Sequence, residues 1–221
     1  MKEKIYTIPL TEALKADCEC PLCEVEKNID IKTTQYFIGP AMMEPDTRSL
    51  TNSKGFCRRH YDKMLESGNK LSLALILQTR LNEVNNKLAE ISKQKKLQKL
   101  KKEIDGFQKM FSSCAVCEKV ADRMNDCIDN FLYLLKKEPD FRAEFLLSKG
   151  LCMKHFNMLV PLITDNGLLE EVVALQVKQS ERIKSEIDKF CLKFDYRSTD
   201  LDIEDVKDSP ARAVYKLRSL I

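Results

Sequence analysis

Two cysteine elements occur twice along this chain, in the same order and at nearly the same spacing. Cys20-Pro21-Leu22-Cys23 recurs 94 residues later as Cys114-Ala115-Val116-Cys117. At the same shift, Glu44-Pro45-Asp46-Thr47-Arg48 recurs as Glu138-Pro139-Asp140-Phe141-Arg142, and Phe37 matches Phe131. One residue is then inserted. At a shift of 95, Ser53-Lys54-Gly55-Phe56-Cys57-Arg58-Arg59-His60 recurs as Ser148-Lys149-Gly150-Leu151-Cys152-Met153-Lys154-His155. The chain has nine cysteines and only two histidines, and both histidines fall inside the repeat. An internal duplication of this kind limits the fold more than any local propensity, because every copy must bring its ligands to one point.

Each repeat supplies three thiols and one imidazole: Cys20, Cys23, Cys57 and His60, then Cys114, Cys117, Cys152 and His155. A Cys-x-x-Cys pair presents two sulfurs from one tight turn. A Cys-x-x-His pair on a helix places both side chains on one face, one turn apart. The glycine two residues before Cys57 and before Cys152 lets the backbone bend into such a helix. The expectation is one closed Cys₃His site per repeat, each clamping a helical hairpin around a structural zinc ion, so two Zn²⁺ per chain. A tetrahedron filled by protein leaves no place for a reacting water. The lesser alternatives are an iron–sulfur cluster or redox-active thiols, although the Cys-x-x-Cys pairs lack the βαβ setting of a thioredoxin-like site. Cys18, Cys127 and Cys191 have no repeat counterpart and are expected as core or surface thiols, and Met42-Met43 as core filler. For the Glu-Pro-Asp-x-Arg element two readings stand. Asp46 and Asp140 could accept the free imidazole N–H of His60 and His155, with Arg48 and Arg142 bracing the thiolates. Alternatively, the proline and acid simply begin a helix.

The expected fold is all-α: two tandem zinc-clamped helical repeats packed together, with a short C-terminal helix. Leu77, Leu81, Val84, Leu88 and Ile91 recur at helical spacing, as do Val173, Val177, Ile183, Ile187, Phe190 and Phe194. No stretch alternates with the period of a strand. Ser209 and Pro210 read as an N-cap and first helical residue, predicting a helix over 210–221. The expected divisions are a first repeat at 1–95, a second at 96–197, and a tail with its helix at 198–221.

Charge excludes little but narrows the partners. The net charge of +3 over 221 residues gives no case for wholesale nucleic-acid binding. The region 80–110 is locally basic, with a lysine run at Lys93–Lys102, and 195–208 is acidic. Both read first as solvated surface; a nucleic-acid patch at Lys93–Lys102 has nothing behind it except charge. The longest apolar clusters, such as Leu73-Ala74-Leu75-Ile76-Leu77, are far shorter than a membrane span, and the N-terminus has no signal-peptide core. These features set the expected location as the cytosol, with no membrane role. The sequence contains no phosphate-binding loop, dinucleotide fingerprint, His-Glu-x-x-His or Gly-x-Ser-x-Gly element. With both histidines taken as ligands, the expectation leans away from an enzyme. It favours a protein-interaction or adaptor module with an unidentified protein partner; a metal or redox sensor, or an enzyme of unrecognised type, is the alternative.

Tyr6-Thr7-Ile8-Pro9-Leu10-Thr11-Glu12-Ala13, the Cys-Pro-Leu-Cys, the Glu-Pro-Asp-x-Arg elements, both Gly-x-Cys-x-x-His elements and Phe194-Asp195-Tyr196-Arg197 together resemble the bacterial family known as domain of unknown function 6062. The resemblance covers nearly the whole chain. It implies a stand-alone cytosolic bacterial protein with all eight ligand positions present, and it implies no activity.

Overall fold

The computed structural model describes residues 7–194, 202 and 204–219. Tyr6 of the opening element, Asp195–Arg197 of the late one, and residues 195–201 and 203 of the 195–208 acidic stretch lie outside the described residues. Among the described residues there are eleven α-helices and no strand, so the all-α expectation holds. None of these helices is long and apolar enough to cross a membrane.

In chain order the helices are α1 (Thr7–Lys15), α2 (Pro21–Ile38), α3 (Pro45–Lys54), α4 (Arg58–Glu66), α5 (Lys70–Ser92), α6 (Leu97–Lys109), α7 (Ala115–Lys137), α8 (Pro139–Leu147), α9 (Met153–Leu159), α10 (Asn166–Leu192) and α11 (Ser209–Arg218). Proline begins many of them. Pro45, Pro139 and Pro210 each occupy the first turn, where a missing N–H costs nothing. For α11 the N-cap is Asp208 and Ser209 is already helical, one residue earlier than the sequence suggests.

The chain forms two compact units, one of residues 28–123 and the other of 1–27 with 124–221. These units do not follow the expected divisions at 95 and 197. The reason is helix length: α2 and α7 each begin at a Cys-x-x-Cys in one unit and continue into the other. In the 28–123 unit, Phe37 lies near the end of α2, nearly four turns past Cys23. There its ring meets Phe56 edge-on at 5.6 Å. In the other unit Phe131 sits equally far past Cys117 on α7 and meets Phe141 and Phe145 at 5.2 and 5.3 Å. The matched phenylalanines are therefore core anchors, and both are fully buried.

The long helices bury faces that share little with the apolar rows of the sequence, Ile183 being the member buried as expected. On α5 the buried residues are Leu73, Ile76 and Arg80, while Leu81 and Leu88 are exposed. On α10 they are Leu168, Val172, Leu175, Gln176, Gln179 and Ile183, while Val173 and Val177 are exposed. Polar residues enter the buried stripe because they bind backbone. Gln176 donates to Leu151 O at 2.9 Å and accepts from Leu151 N at 3.2 Å, and Gln179 donates to Ser148 O at 3.3 Å. Met42 is buried as expected of core filler, but Met43 is 65% exposed.

Gly55 ends α3 at φ 63° and ψ −158°, a backbone state that is essentially glycine's own. A Cβ there would also stand 3.2 Å from Arg80 Nε. Gly55→Ala is expected to cost about 1–3 kcal/mol of stability. Gly106, inside α6 with open space around it, should gain up to about 1 kcal/mol of helix stability as alanine. Denaturant unfolding followed by circular dichroism measures both signs.

Candidate metal centres

The eight candidate cysteine and histidine ligands converge in two groups, but not as one group per repeat. Cys20 and Cys23 meet Cys152 and His155; Cys57 and His60 meet Cys114 and Cys117. The expected sets Cys20/Cys23/Cys57/His60 and Cys114/Cys117/Cys152/His155 are thus corrected. Each Cys-x-x-Cys joins the Cys-x-x-His of the other repeat, and each complete group lies within one compact unit. The physical cause is the run of α2 and α7 past their own cysteines. Phe56, adjacent to Cys57, packs against Phe37 near the end of α2.

Local geometry follows the motifs. Cys57 and Cys152 are the N-caps of α4 and α9, each in extended backbone (φ −73°), so His60 and His155 stand one turn into the helix on the same side. Gly150 has φ 73°, as Gly55 has 63°. Cys20 and Cys114 immediately precede α2 and α7, and Cys23 and Cys117 lie in their first turns. Every ligand therefore sits at a helix N-terminal turn, where free N–H groups and the positive dipole end favour thiolate over thiol.

The donor atoms fit a tetrahedral ion. With metal–sulfur bonds of about 2.3 Å and metal–nitrogen bonds of about 2.0–2.1 Å, neighbouring ligand atoms stand about 3.5–3.8 Å apart. Cys23 Sγ is 3.5 Å from Cys152 Sγ, and His155 Nδ1 is 3.5, 3.5 and 3.3 Å from the sulfurs of Cys20, Cys23 and Cys152. In the other group, Cys57 Sγ is 3.8 Å from Cys117 Sγ, and His60 Nδ1 is 3.2, 3.3 and 3.4 Å from the sulfurs of Cys57, Cys114 and Cys117. No disulfide joins any of the nine cysteines.

Proton affinities within each group are divided unevenly. Hydrogen bonds from Cys20 and Cys23 draw the Cys152 thiol far below the ordinary range, while burial pushes Cys20 well above it. Burial would raise Cys57, but the His60 backbone N–H and the thiols of Cys117 and Cys114 bring it below the ordinary range. Burial and the neighbouring sulfurs of Cys114 and Cys57 push Cys117 up to about 12. Three sulfurs this close share one negative charge readily and three only with a positive ion between them.

The outward imidazole nitrogens meet carboxylates that the sequence did not single out. His60 Nε2 is 2.7 Å from Asp30 Oδ1, and Asp30 is fully buried, held also by Arg59 and by Lys63. Burial pushes the Asp30 carboxyl up, but Lys63 and His60 outweigh it and hold it below the usual range. His155 Nε2 is 3.3 Å from Glu26 Oε2, without hydrogen-bond alignment, and Glu26 accepts from Lys154 at 2.5 Å. The His60–Asp30 hydrogen bond holds that imidazole with Nδ1 toward its sulfurs, and His155 turns Nδ1 toward its own three sulfurs. Asp46 and Asp140 do not take this role. Both are exposed in the first turns of α3 and α8, matching the helix-start reading. Arg142 Nε pairs with Glu171 at 2.8 Å and not with a sulfur, and Arg48 is likewise not among the sulfur neighbours. Both acids that do serve lie on α2, one turn apart. Their repeat counterparts are Val120 and Met124, so no search for matched positions would reveal them.

The three unmatched cysteines stay outside the groups. Cys127 is buried in the core, Cys191 is exposed, and Cys18 is half-buried, its thiol pushed up to about 11 by burial.

One protein-family profile, described as a family of unknown function (DUF6062), matches residues 1–221. The chain belongs to this family. No curated protein and no solved structure matches it. As a DUF6062 member, the chain carries two potential Cys₃His metal sites, with Cys57 and Cys117 half-buried and the other six residues buried.

Asp30→Asn is expected to weaken metal binding at the Cys57 group by about 10- to 100-fold. Asp46→Ala should leave that affinity unchanged and cost only the helix-start contribution of about 0.3–1 kcal/mol. Chelator competition on the two variants separates these roles.

Proposed function

We propose that this protein is a zinc-binding helical interaction module whose two centres are structural. The observation that carries the reading is closure. In each group three sulfurs and one imidazole nitrogen occupy all four corners of a tetrahedron, and the Cys20/Cys23/Cys152/His155 set is buried at every member. Such a shell leaves no position for a water or substrate, unlike a catalytic site. The donor set of three thiolates and one imidazole suits zinc, and two Zn²⁺ per chain follow. A Cys₃His shell around an iron–sulfur cluster is the alternative cofactor.

An adaptor role is supported by surface that the folded units leave uncovered. In α6 no residue is buried, although Leu97, Leu100, Ile104 and Phe107 form one helical face. The lysines of 93–109 stand around it. This basic hairpin region would suit a protein partner with an acidic rim; a polynucleotide remains the weaker candidate and would show steep salt dependence. Location in the cytosol is part of the same proposal, since thiolate-rich zinc centres persist where thiols stay reduced.

A second reading, redox sensing, has its own observation. Cys57 and Cys117 are half-exposed, whereas all four ligands of the other group are buried. Mild oxidant would then release metal from the Cys57 group first, and reductant would restore it.

Elemental analysis of protein purified without oxygen and without added metal should find two zinc ions per chain and negligible iron. Iron with acid-labile sulfide would replace zinc in this account, and no metal at all would end it. Acidification should release the ions and raising the pH restore them. Protons compete for the same sulfurs and Nδ1 atoms, so affinity falls as pH falls. Metal-responsive absorbance of the cobalt-substituted protein records that titration.

A further inference from the structure

Each metal group is built from two chain segments, and in each unit one buried cation binds backbone carbonyls of both. In the 28–123 unit the cation is Arg80. Its Nη1 donates to Ser53 O at 3.2 Å and to Asn52 O, and its Nη2 donates to Met110 O at 2.6 Å. Asn52 and Ser53 lie in the last turn of α3, just ahead of Gly55-Phe56-Cys57; Met110 caps α6, four residues before Cys114. In the other unit the cation is Lys216. Its Nζ donates to Glu19 O at 2.7 Å and to Lys149 O. Glu19 immediately precedes Cys20, and Lys149 precedes Gly150-Leu151-Cys152. Arg80 is 6% exposed and Lys216 only 3%.

The repeat does not relate these two residues. The position 95 after Arg80 is Leu175, and Lys216 lies beyond both repeats, on α11. On α10, Gln179 holds the Ser148 carbonyl, but the Glu19 carbonyl is taken by Lys216. α11 packs on α9, which carries His155, and on α10. A cleft of about 400 Å³ has Cys20 and Cys23 on its wall together with Arg212 and Tyr215 of α11. The charge sense is also favourable. A divalent ion with three thiolates is a monoanion, and each buried cation is of opposite sign, although Lys216 shares its charge with the Glu19 carboxylate at 3.6 Å.

We propose that Arg80 and Lys216 are positioning residues for the two metal centres, and that the C-terminal helix therefore governs metal retention at Cys20/Cys23/Cys152/His155 and not at the other centre. The proposal rests on the metal-binding reading above. Lys216 holds the two ligand-bearing segments in register from outside the repeat, so undocking α11 frees Glu19 and Lys149 and opens the cleft wall beside Cys20 and Cys23. Arg80 belongs to α5, inside its own unit, and needs no such terminal element.

The test is metal release from the full metal-loaded chain to a coloured chelator. Cys23→Ser and Cys117→Ser, each removing one centre, assign the phases. Lys216→Met should speed release from the Cys20 centre by about tenfold or more and leave the Cys57 centre unchanged. Arg80→Met should do the reverse, and Lys216→Arg should restore most of the retention that Lys216→Met loses. Equal acceleration of both phases by Lys216→Met, or no acceleration, overturns the proposal. A second test leaves Lys216 and α11 unsubstituted. Because coupling is reciprocal, stripping the metal from Cys117→Ser protein, which keeps only the Cys20 centre, should raise amide exchange across 209–218. Unchanged exchange there also overturns it. Failure of the metal reading is a separate result: wild-type protein with no bound metal.

Discussion

The structure depends on bringing three sulfurs and one imidazole nitrogen to a single point from two stretches of chain far apart in sequence. Cys23 and Cys152 are separated by 129 residues, yet their sulfurs stand 3.5 Å apart. Helices alone do not enforce such closure, because the apolar faces of α5 and α10 are narrow and interrupted by polar side chains. What enforces it is the convergence of helix N-termini on each group, with glycine turns that aim Cys57 and Cys152 inward. A metal ion would convert that convergence into a covalent-strength clamp, and its binding energy would be folding energy.

Closure explains several features at once. The polar residues in the buried stripes of α5 and α10 are those that bind the backbone leading to a ligand: Arg80 ahead of Cys57 and Cys114, Gln176 and Gln179 ahead of Cys152. The segments that lead to the two half-sites are also joined directly. In the 28–123 unit, Ala115 N donates to Gly55 O at 3.0 Å and Ser113 Oγ to Lys54 O at 2.9 Å. Asp30 and Glu26 then orient the imidazoles from behind. The centres are alike in ligand set and unlike in support, since α2 supplies the carboxylate to both and α11 supports only one.

Much of this was legible in the sequence. The eight clustered cysteines and histidines, the glycine bends, the helix starts at Pro45 and Pro139, and the all-α class all follow from short-range chemistry. Pairing did not follow, because two copies of one motif set satisfy a tetrahedron equally well within or across repeats. Only the length of α2 and α7 beyond their cysteines decides between them. The carboxylates behind the histidines were hidden for a related reason. They break the repeat, and repetition was the signal being read. The stripes on α5 and α10 were misread because burial there follows hydrogen bonding to loops, so the rows Leu77–Leu81–Leu88 and Val173–Val177 looked more like a core than the rows containing Arg80 and Gln176.

Metal stoichiometry of two double variants tests the exchange of half-sites most directly. Cys57→Ser with Cys117→Ser removes two ligands of one group, and the protein should retain one ion per chain. Cys23→Ser with Cys57→Ser removes one ligand from each group, and both ions should be lost or held far more weakly. Pairing within each repeat demands the opposite: loss at both centres in the first variant and one intact centre in the second. That reversed result would contradict the account.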